Sequence, residues 1–382
     1  MKGHTDMSPP LSHALGQSVP RRSVLSAAGL LAAAATTAGL TGCSRTAIAA
    51  SADQPTYAPH ELLLVTTMIT GTNDYMQNWA TGARAYARKL RLPLRVINSY
   101  GDSQQQFSQV QSAMASGKKV VLNLHPVASA DPPAIAKAVA RTGGYMISSW
   151  NKPADAHPVD FGPHWVTHMG FDGVEAGRWT ATKLFEAMNG KGGIIALKGV
   201  LDSTASKQRY QGLLKALADF PNVELLATDS ANWDRQTAYQ KTQTLLSKYR
   251  SRVTGIWTGS DSMTLGAVAA AQQAGISVKA TGIDCLEESM HSIKNKGPIV
   301  AAWFTDPFYS GAMGLAMAYG AATGALEVAS MTPEQREGTY RQVGVDAANV
   351  DSYITRPSSK RILTEVDKGY FDRLIGPPLP GA

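Results

Sequence analysis

Glu61–Met68 reads ELLLVTTM, a short run that is apolar at nearly every position. Apolar residues then recur at helical spacing over Tyr75–Leu90, and Leu94–Ser99 is a second short apolar run. A strand that is apolar on both of its alternating sets is buried on both faces, which marks a parallel sheet covered by helices. Outward from this unit the alternation continues. Strands are expected at Lys119–Leu124, Gly144–Ser149, Trp165–Phe171, Gly193–Lys198, Val223–Thr228, Val253–Thr258, Val278–Ile283 and Ile299–Phe304. Helices are expected at Gln104–Ala115, Ala134–Arg141, Val174–Met188, Ala205–Phe220, Arg235–Tyr249, Ser262–Ala274, Glu287–Lys296 and Tyr309–Ala322. Roughly nine βα units are too many for one open sheet of ordinary size. The expected fold class is therefore α/β, with two doubly wound parallel-sheet lobes. The polar, Pro-bearing stretch Asn151–His164 is expected near the lobe junction, and Leu326–Ala382 reads as an appendage that wraps back onto the body.

The chain has 382 residues, is 44% hydrophobic and carries a formal net charge of +7, ample apolar content for a packed core. Residues 1–42 contribute +2 of that charge (Lys2, Arg21 and Arg22 against Asp6), which leaves +5 spread thinly over the rest. Nucleic-acid binding needs a concentrated basic face, and no run of five like charges exists to supply one. Two cysteines, Cys43 and Cys285, exclude a disulfide scaffold and a multi-cysteine zinc site.

The N-terminus reads as an address. Pro20-Arg21-Arg22-Ser23-Val24-Leu25 precedes a weakly apolar stretch, Ala27 to Leu40, which closes on Leu40-Thr41-Gly42-Cys43. A basic pair, an apolar segment and small residues before a processing point make a signal peptide. The apolar run is shorter than the ~20 residues of a bilayer span. The arginine pair resembles a twin-arginine export signal, and Leu-Thr-Gly-Cys resembles a lipoprotein box. Cys43 would then be the lipid-bearing first residue of an exported chain, periplasmic or at the cell surface, followed by a polar tether over 43–59.

No G-x-G-x-x-G follows a strand, and phosphate-loop, H-E-x-x-H and G-x-S-x-G motifs are missing. The reading is accordingly a binding protein rather than an enzyme, with no cofactor. His157, His164 and His168 fall within a dozen residues, but no carboxylate or cysteine joins them at ligand spacing, so no metal site is expected.

In doubly wound folds, ligands bind outside the carboxyl ends of the strands. Those ends carry Asn73 and Tyr75, Trp150 and Asn151, Trp233, Ser260, Asp284 and Thr305, with Arg209 in a following helix. Carboxylate and guanidinium groups engage neighbouring hydroxyls through charged hydrogen bonds, and C–H faces pack on aromatic rings. The combination suits a sugar or sugar-like molecule.

These segments resemble the periplasmic solute-binding proteins of the ribose-binding type. The resemblance rests on Asn73-Asp74-Tyr75-Met76 with Gly82-Ala83, Asp102 with Gln105 or Gln106, Asp172 to Arg178, Arg209-Tyr210-Gln211-Gly212-Leu213, Trp233-Asp234-Arg235, Ser260 to Ala267, Gly282-Ile283-Asp284, Thr305-Asp306-Pro307 with Gly311, and Val345-Asp346 with Asn349-Val350-Asp351. It implies a type I binding-protein fold with a three-segment hinge near Met169–Phe171, Thr305 and Val343–Val345. The implied division is a signal peptide over 1–42, a first lobe of 60–169 plus 305–342, a second of 170–304 plus 343–355, and a tail of 356–382. It also implies a monomer that hands a sugar or polyol to an ABC permease. A ligand-presenting role for a membrane receptor or kinase, and a non-sugar ligand, stay open. By the resemblance Asn73, Arg209 and Asp284 would hydrogen-bond the ligand, and Tyr75 and Trp233 would sandwich its ring. Trp150-Asn151, Ser260 and Thr305 depart from the family's residues there, which points to a ligand unlike plain ribose, larger or less hydroxylated.

Overall fold

The computed structural model describes residues 54–372; Arg21, Arg22 and Cys43, and with them the export and lipidation expectations, lie outside the described residues. Five apolar runs form β1 (Leu62–Met68), β2 (Leu94–Asn98), β3 (Lys119–Leu124), β4 (Tyr145–Ser149) and β5 (Trp165–Phe171). They alternate with α1 (Asp74–Leu90), α2 (Ser103–Met114) and α3 (Asp131–Arg141). The second series is β6 (Gly192–Lys198), β7 (Val223–Ser230), β8 (Val253–Thr258), β9 (Lys279–Ile283) and β10 (Ile299–Phe304). Its helices are α4 (Gly173–Ala187), α5 (Thr204–Asp219), α6 (Arg235–Tyr249), α7 (Asp261–Gln273) and α8 (Glu287–Lys294). The chain then returns through α9 (Pro307–Thr323), α10 (Pro333–Arg336), β11 (Glu337–Tyr340), β12 (Val343–Asp346), α11 (Val350–Tyr353) and α12 (Ser359–Lys368).

The strands make two six-stranded sheets, ordered β11-β5-β4-β3-β1-β2 and β12-β10-β9-β8-β6-β7. All pairings among β1–β5 and among β6–β10 are parallel, β11 adds parallel to β5, and β12 alone runs antiparallel, against β10. In each sheet the strand order reverses at one place, between β1 and β3 in the first and between β6 and β8 in the second. A crevice opens outside the carboxyl ends of the strands at such a switch point.

The chain passes between the sheets three times: at Asp172 after β5, at Thr305-Asp306 after β10, and at Arg341-Gln342 between β11 and β12. The third passage adjoins the expected Val343–Val345, which are paired with β10. Residues 54–58, the described end of the expected tether, are bonded to the first lobe. The Gln54 side chain bonds the main chain at Ala321, Leu326 and Val328, and the Tyr145 hydroxyl donates to the Pro55 carbonyl.

Close helix crossings fix where the cleft residues stand. A Cβ on Gly177 in α4 would lie 1.9 Å from the Arg209 carbonyl oxygen in α5, and one on Gly212 in α5 would lie 2.3 Å from the Val174 carbonyl oxygen. The first lobe repeats the device, with Gly82 of α1 against the Phe308 carbonyl and Gly311 of α9 against that of Trp79. Gly82, Gly177, Gly212 and Gly311, all in motifs that resemble the family, are thus points of helix contact.

Candidate functional site

A cavity of about 50 Å³ lies between the two switch points. Asn73, Tyr75, Trp150, Asn151, Arg209, Trp233, Ser260 and Asp284 all line it. Thr305 does not; its hydroxyl stands behind the site and donates to Asp284 Oδ1 at 3.2 Å. The wall also takes in His125 and Ser203, at the ends of β3 and before α5, and an apolar patch of Ile69, Met76 and Ala205, none of them singled out from the sequence as site residues. The strand-end rule that located the others applies to His125 as well, since it directly follows β3.

Two of the asparagines expected at the site, Asn73 and Asn151, are engaged with protein. Asn73 caps α1, its Oδ1 accepting from the Met76 N–H at 3.2 Å, while its Nδ2 donates across the cleft to the Trp233 carbonyl at 2.9 Å. Asn151 donates to the Pro126 carbonyl at 3.0 Å and accepts from the Ser203 hydroxyl at 3.0 Å, again across the cleft. Ser262 adds a further cross-cleft bond to Asp74 Oδ2 at 3.2 Å, and Ser129 and Thr204 share one at 2.8 Å. The two lobes are therefore held together around the cavity.

The aromatic rings form a scaffold for Arg209. Its guanidinium carbon lies 4.5 Å from the centre of the Trp150 ring and 5.4 Å from that of Trp233. Trp150 stacks on Phe171 at 3.8 Å between ring centres and donates its Nε1–H to the Tyr75 hydroxyl at 2.7 Å. Cation–π attraction and the Nη1 bond to the Gly259 carbonyl at 2.6 Å hold the guanidinium in a fixed plane. Arg209 Nε and the Ser260 hydroxyl find no hydrogen-bond partner among the described residues. An unmade bond at a buried polar atom costs about 1–3 kcal/mol.

Asp284 sits at φ 120° and Cys285 at φ 54°, in the half of conformational space that favours glycine. The strained turn is held from three sides. Asp261 Oδ2 accepts from the Leu286 N–H at 2.8 Å, Arg356 donates to the Cys285 carbonyl at 3.1 Å, and the Asp284 N–H donates to the Trp303 carbonyl at 2.8 Å. Trp150 and Trp233 also have positive φ, 69° and 65°. Strain of this kind persists only where the surroundings over-determine it, and it gathers at binding sites.

Burial pushes the Asp284 carboxyl up to about 8, against the pull of the Arg209 guanidinium, so at neutral pH it is largely protonated and able both to donate and to accept. Burial likewise holds His125 down to about 3, a neutral imidazole beside the cavity. The three clustered histidines go separate ways: His157 to Glu337, His164 to the Gly144 carbonyl and His168 to Ser148. Among the described residues, no cluster of three or more His, Cys, Asp or Glu is placed to hold a metal, and no helix is long and apolar enough to cross a membrane.

Residues 64–326 match the family described as periplasmic binding protein domain. A xylitol-binding protein of Mycolicibacterium smegmatis is 26% identical over 70% of this chain and 72% of its own length. A ribose import binding protein of Salmonella typhimurium is 26% identical over 72% of this chain and 89% of its own. Among solved structures, a twin-arginine translocation pathway signal protein from Burkholderia phytofirmans superposes with a TM-score of 0.75 at 30% identity, covering 83% of this chain and 98% of that one. With the family match extending over well more than half of its residues, this chain belongs to the periplasmic binding protein family.

Proposed function

We propose that the chain is the solute-binding component of an ABC-type import system and that it takes a small polyhydroxylated molecule, a sugar or a polyol, between its two lobes. One observation carries the reading. Arg209, Ser260 and Asp284, from separate elements of the second lobe, present buried polar groups to one cavity that the first lobe closes with Tyr75, Trp150 and His125. Hydroxyl groups satisfy such donors and acceptors without bringing in a charge that burial would penalise. The printed names of relatives support the same class, since they are binding proteins for xylitol and for ribose import.

The three passages of chain between the sheets serve as the hinge, and ligand stabilises the closed form through contacts that an open form lacks. A permease then reads the closed state. Arg21-Arg22 directs export, the folded-protein route being supported by the printed name of the 30%-identical relative. Cys43 carries a lipid, and the protein acts as a monomer. The test is a thermal-shift panel of pentoses, hexoses and polyols. A cognate ligand at ~100 times its Kd adds about 2.7 kcal/mol of stability. A shift with amino acids or aromatic acids, and none with any hydroxylated ligand, would overturn the proposal. For the anchor, Cys43→Ala should move the protein from the membrane fraction to the soluble fraction.

A further inference from the structure

We infer that the ligand is an open-chain polyol of four or five carbons rather than a ring sugar, an inference that rests on the reading of this cavity as a hydroxyl-binding site. A sugar ring presents two broad C–H faces, and its natural partners are free aromatic faces. Here both faces of Trp150 and one face of Trp233 are occupied by protein. Phe171 lies 3.8 Å from the Trp150 ring at an interplanar angle of 19°, which leaves no space for a second group on that side. The Arg209 guanidinium at 4.5 Å therefore covers the other face. On Trp233, a Cβ added to Gly199 would be 2.1, 2.1 and 2.2 Å from three consecutive ring atoms. Such equal distances arise only above a ring, so the Gly199 main chain lies flat on one face of this indole, and Arg209 approaches the ring as well. Tyr75 is only 6% exposed, stacked near Trp79 and edge-on to His125 and Trp150. A ring held between Tyr75 and Trp233 would have only the cavity-facing side of each to use, one face of Trp233 lying under Gly199 and Arg209 standing 5.4 Å from its centre.

What the cavity offers instead is a set of separate, directional polar groups: the Arg209 Nε–H, the Ser260 hydroxyl, the Asp284 carboxyl and the neutral His125 imidazole. They belong to α5, the β8–α7 junction, the end of β9 and the end of β3, and each suits one hydroxyl. The patch of Ile69, Met76 and Ala205 gives a carbon chain an apolar rest without requiring a flat ring. Size agrees. A cavity of about 50 Å³ has room for only a few waters, which favours a short chain over a larger ring sugar.

Isothermal titration calorimetry on the processed protein tests this with matched pairs, each alditol beside the aldose that gives it on reduction: xylitol and D-xylose, ribitol and D-ribose, erythritol and D-erythrose, glucitol and D-glucose. At least one four- or five-carbon alditol is expected to bind at least tenfold more tightly than its aldose and more tightly than glucitol. An aldose that binds as tightly as its alditol, or more tightly, overturns the inference while leaving the hydroxyl-binding reading in place. No heat with any member of the panel overturns both.

Discussion

Thr305, on the second passage between the lobes, donates its hydroxyl to Oδ1 of Asp284 at 3.2 Å. A residue of the passage between the sheets thus touches a cleft carboxyl directly, and the orientation of that carboxyl is tied to the path of the chain there. Thr305→Val keeps the shape and removes the donor. A single hydrogen bond contributes about 1 kcal/mol net, so ligand affinity should fall about fivefold by calorimetry with little change in melting temperature. An unchanged Kd would show that Asp284 needs no such support.

Asp284 itself should trade stability against binding. Its pKa is raised in the folded chain, to about 8, by burial foremost. The folded state therefore holds a proton that the unfolded chain releases above about 3.9. Stability from this group is present at low pH and is lost as pH rises through 8. Asp284→Asn should bind ligand at least tenfold more weakly, yet lose less melting temperature than the parent between pH 7 and 9. A variant that melts in parallel with the parent across that range would remove the buried carboxyl as the cause.

The strand–helix rhythm is readable because most of the ten long strands are compact apolar runs; β2 (LRVIN) and β7 (VELLATDS) carry charged positions but are set off by the helical spacing on either side. β11 and β12 escaped, being four residues each with polar and glycine positions, EGTY and VGVD, that carry no period. In the site, position was readable and role was not. The strand-end rule found Asn73, Trp150, Trp233 and Asp284, but which atoms are already engaged depends on partners 21 to 160 residues away in sequence. Asn73 bonds the Trp233 main chain, and Trp150 has Phe171 and Arg209 on its faces. Sequence spacing says nothing about either. His125 was missed although its position at the end of β3 carried the same signal as the rest.

The α4–α5 crossing predicts a distant effect on binding. A Cβ on Gly177 would meet the main-chain oxygen of Arg209 at 1.9 Å, and main chain cannot swing aside as a side chain can. Gly177→Ala should cost about 1–3 kcal/mol, the usual range for forced overpacking. Because the displaced segment carries the guanidinium, affinity should also fall by more than tenfold. Urea denaturation and calorimetry read the two effects separately. Loss of stability with unchanged affinity would mean that Arg209 can be reseated by its tryptophans alone.

Acid stability follows from groups that pull in opposite directions. His125 and His168 are both held down to about 3 by burial, so the unfolded chain takes up their protons first and stability is lost as pH falls below about 6.5. At pH 5 each amounts to about 2 kcal/mol. Asp261 and Asp284 are raised, to about 6 and about 8, chiefly by burial, and they favour the folded state as pH falls toward 4. Two buried imidazoles and two buried carboxyls nearly cancel between pH 6 and 4. Lowered carboxylates such as Glu288, paired with Arg235, add a modest net acid loss. His168 is the cleaner histidine to remove, since its Nδ1 faces Ser148 at 2.9 Å, away from the ligand cavity. His168→Gln should leave ligand affinity at pH 7.5 within about twofold while the variant loses less melting temperature than the parent between pH 7 and 5. Equal losses in the two proteins would show that His168 takes up its proton in the folded chain as readily as in the unfolded one.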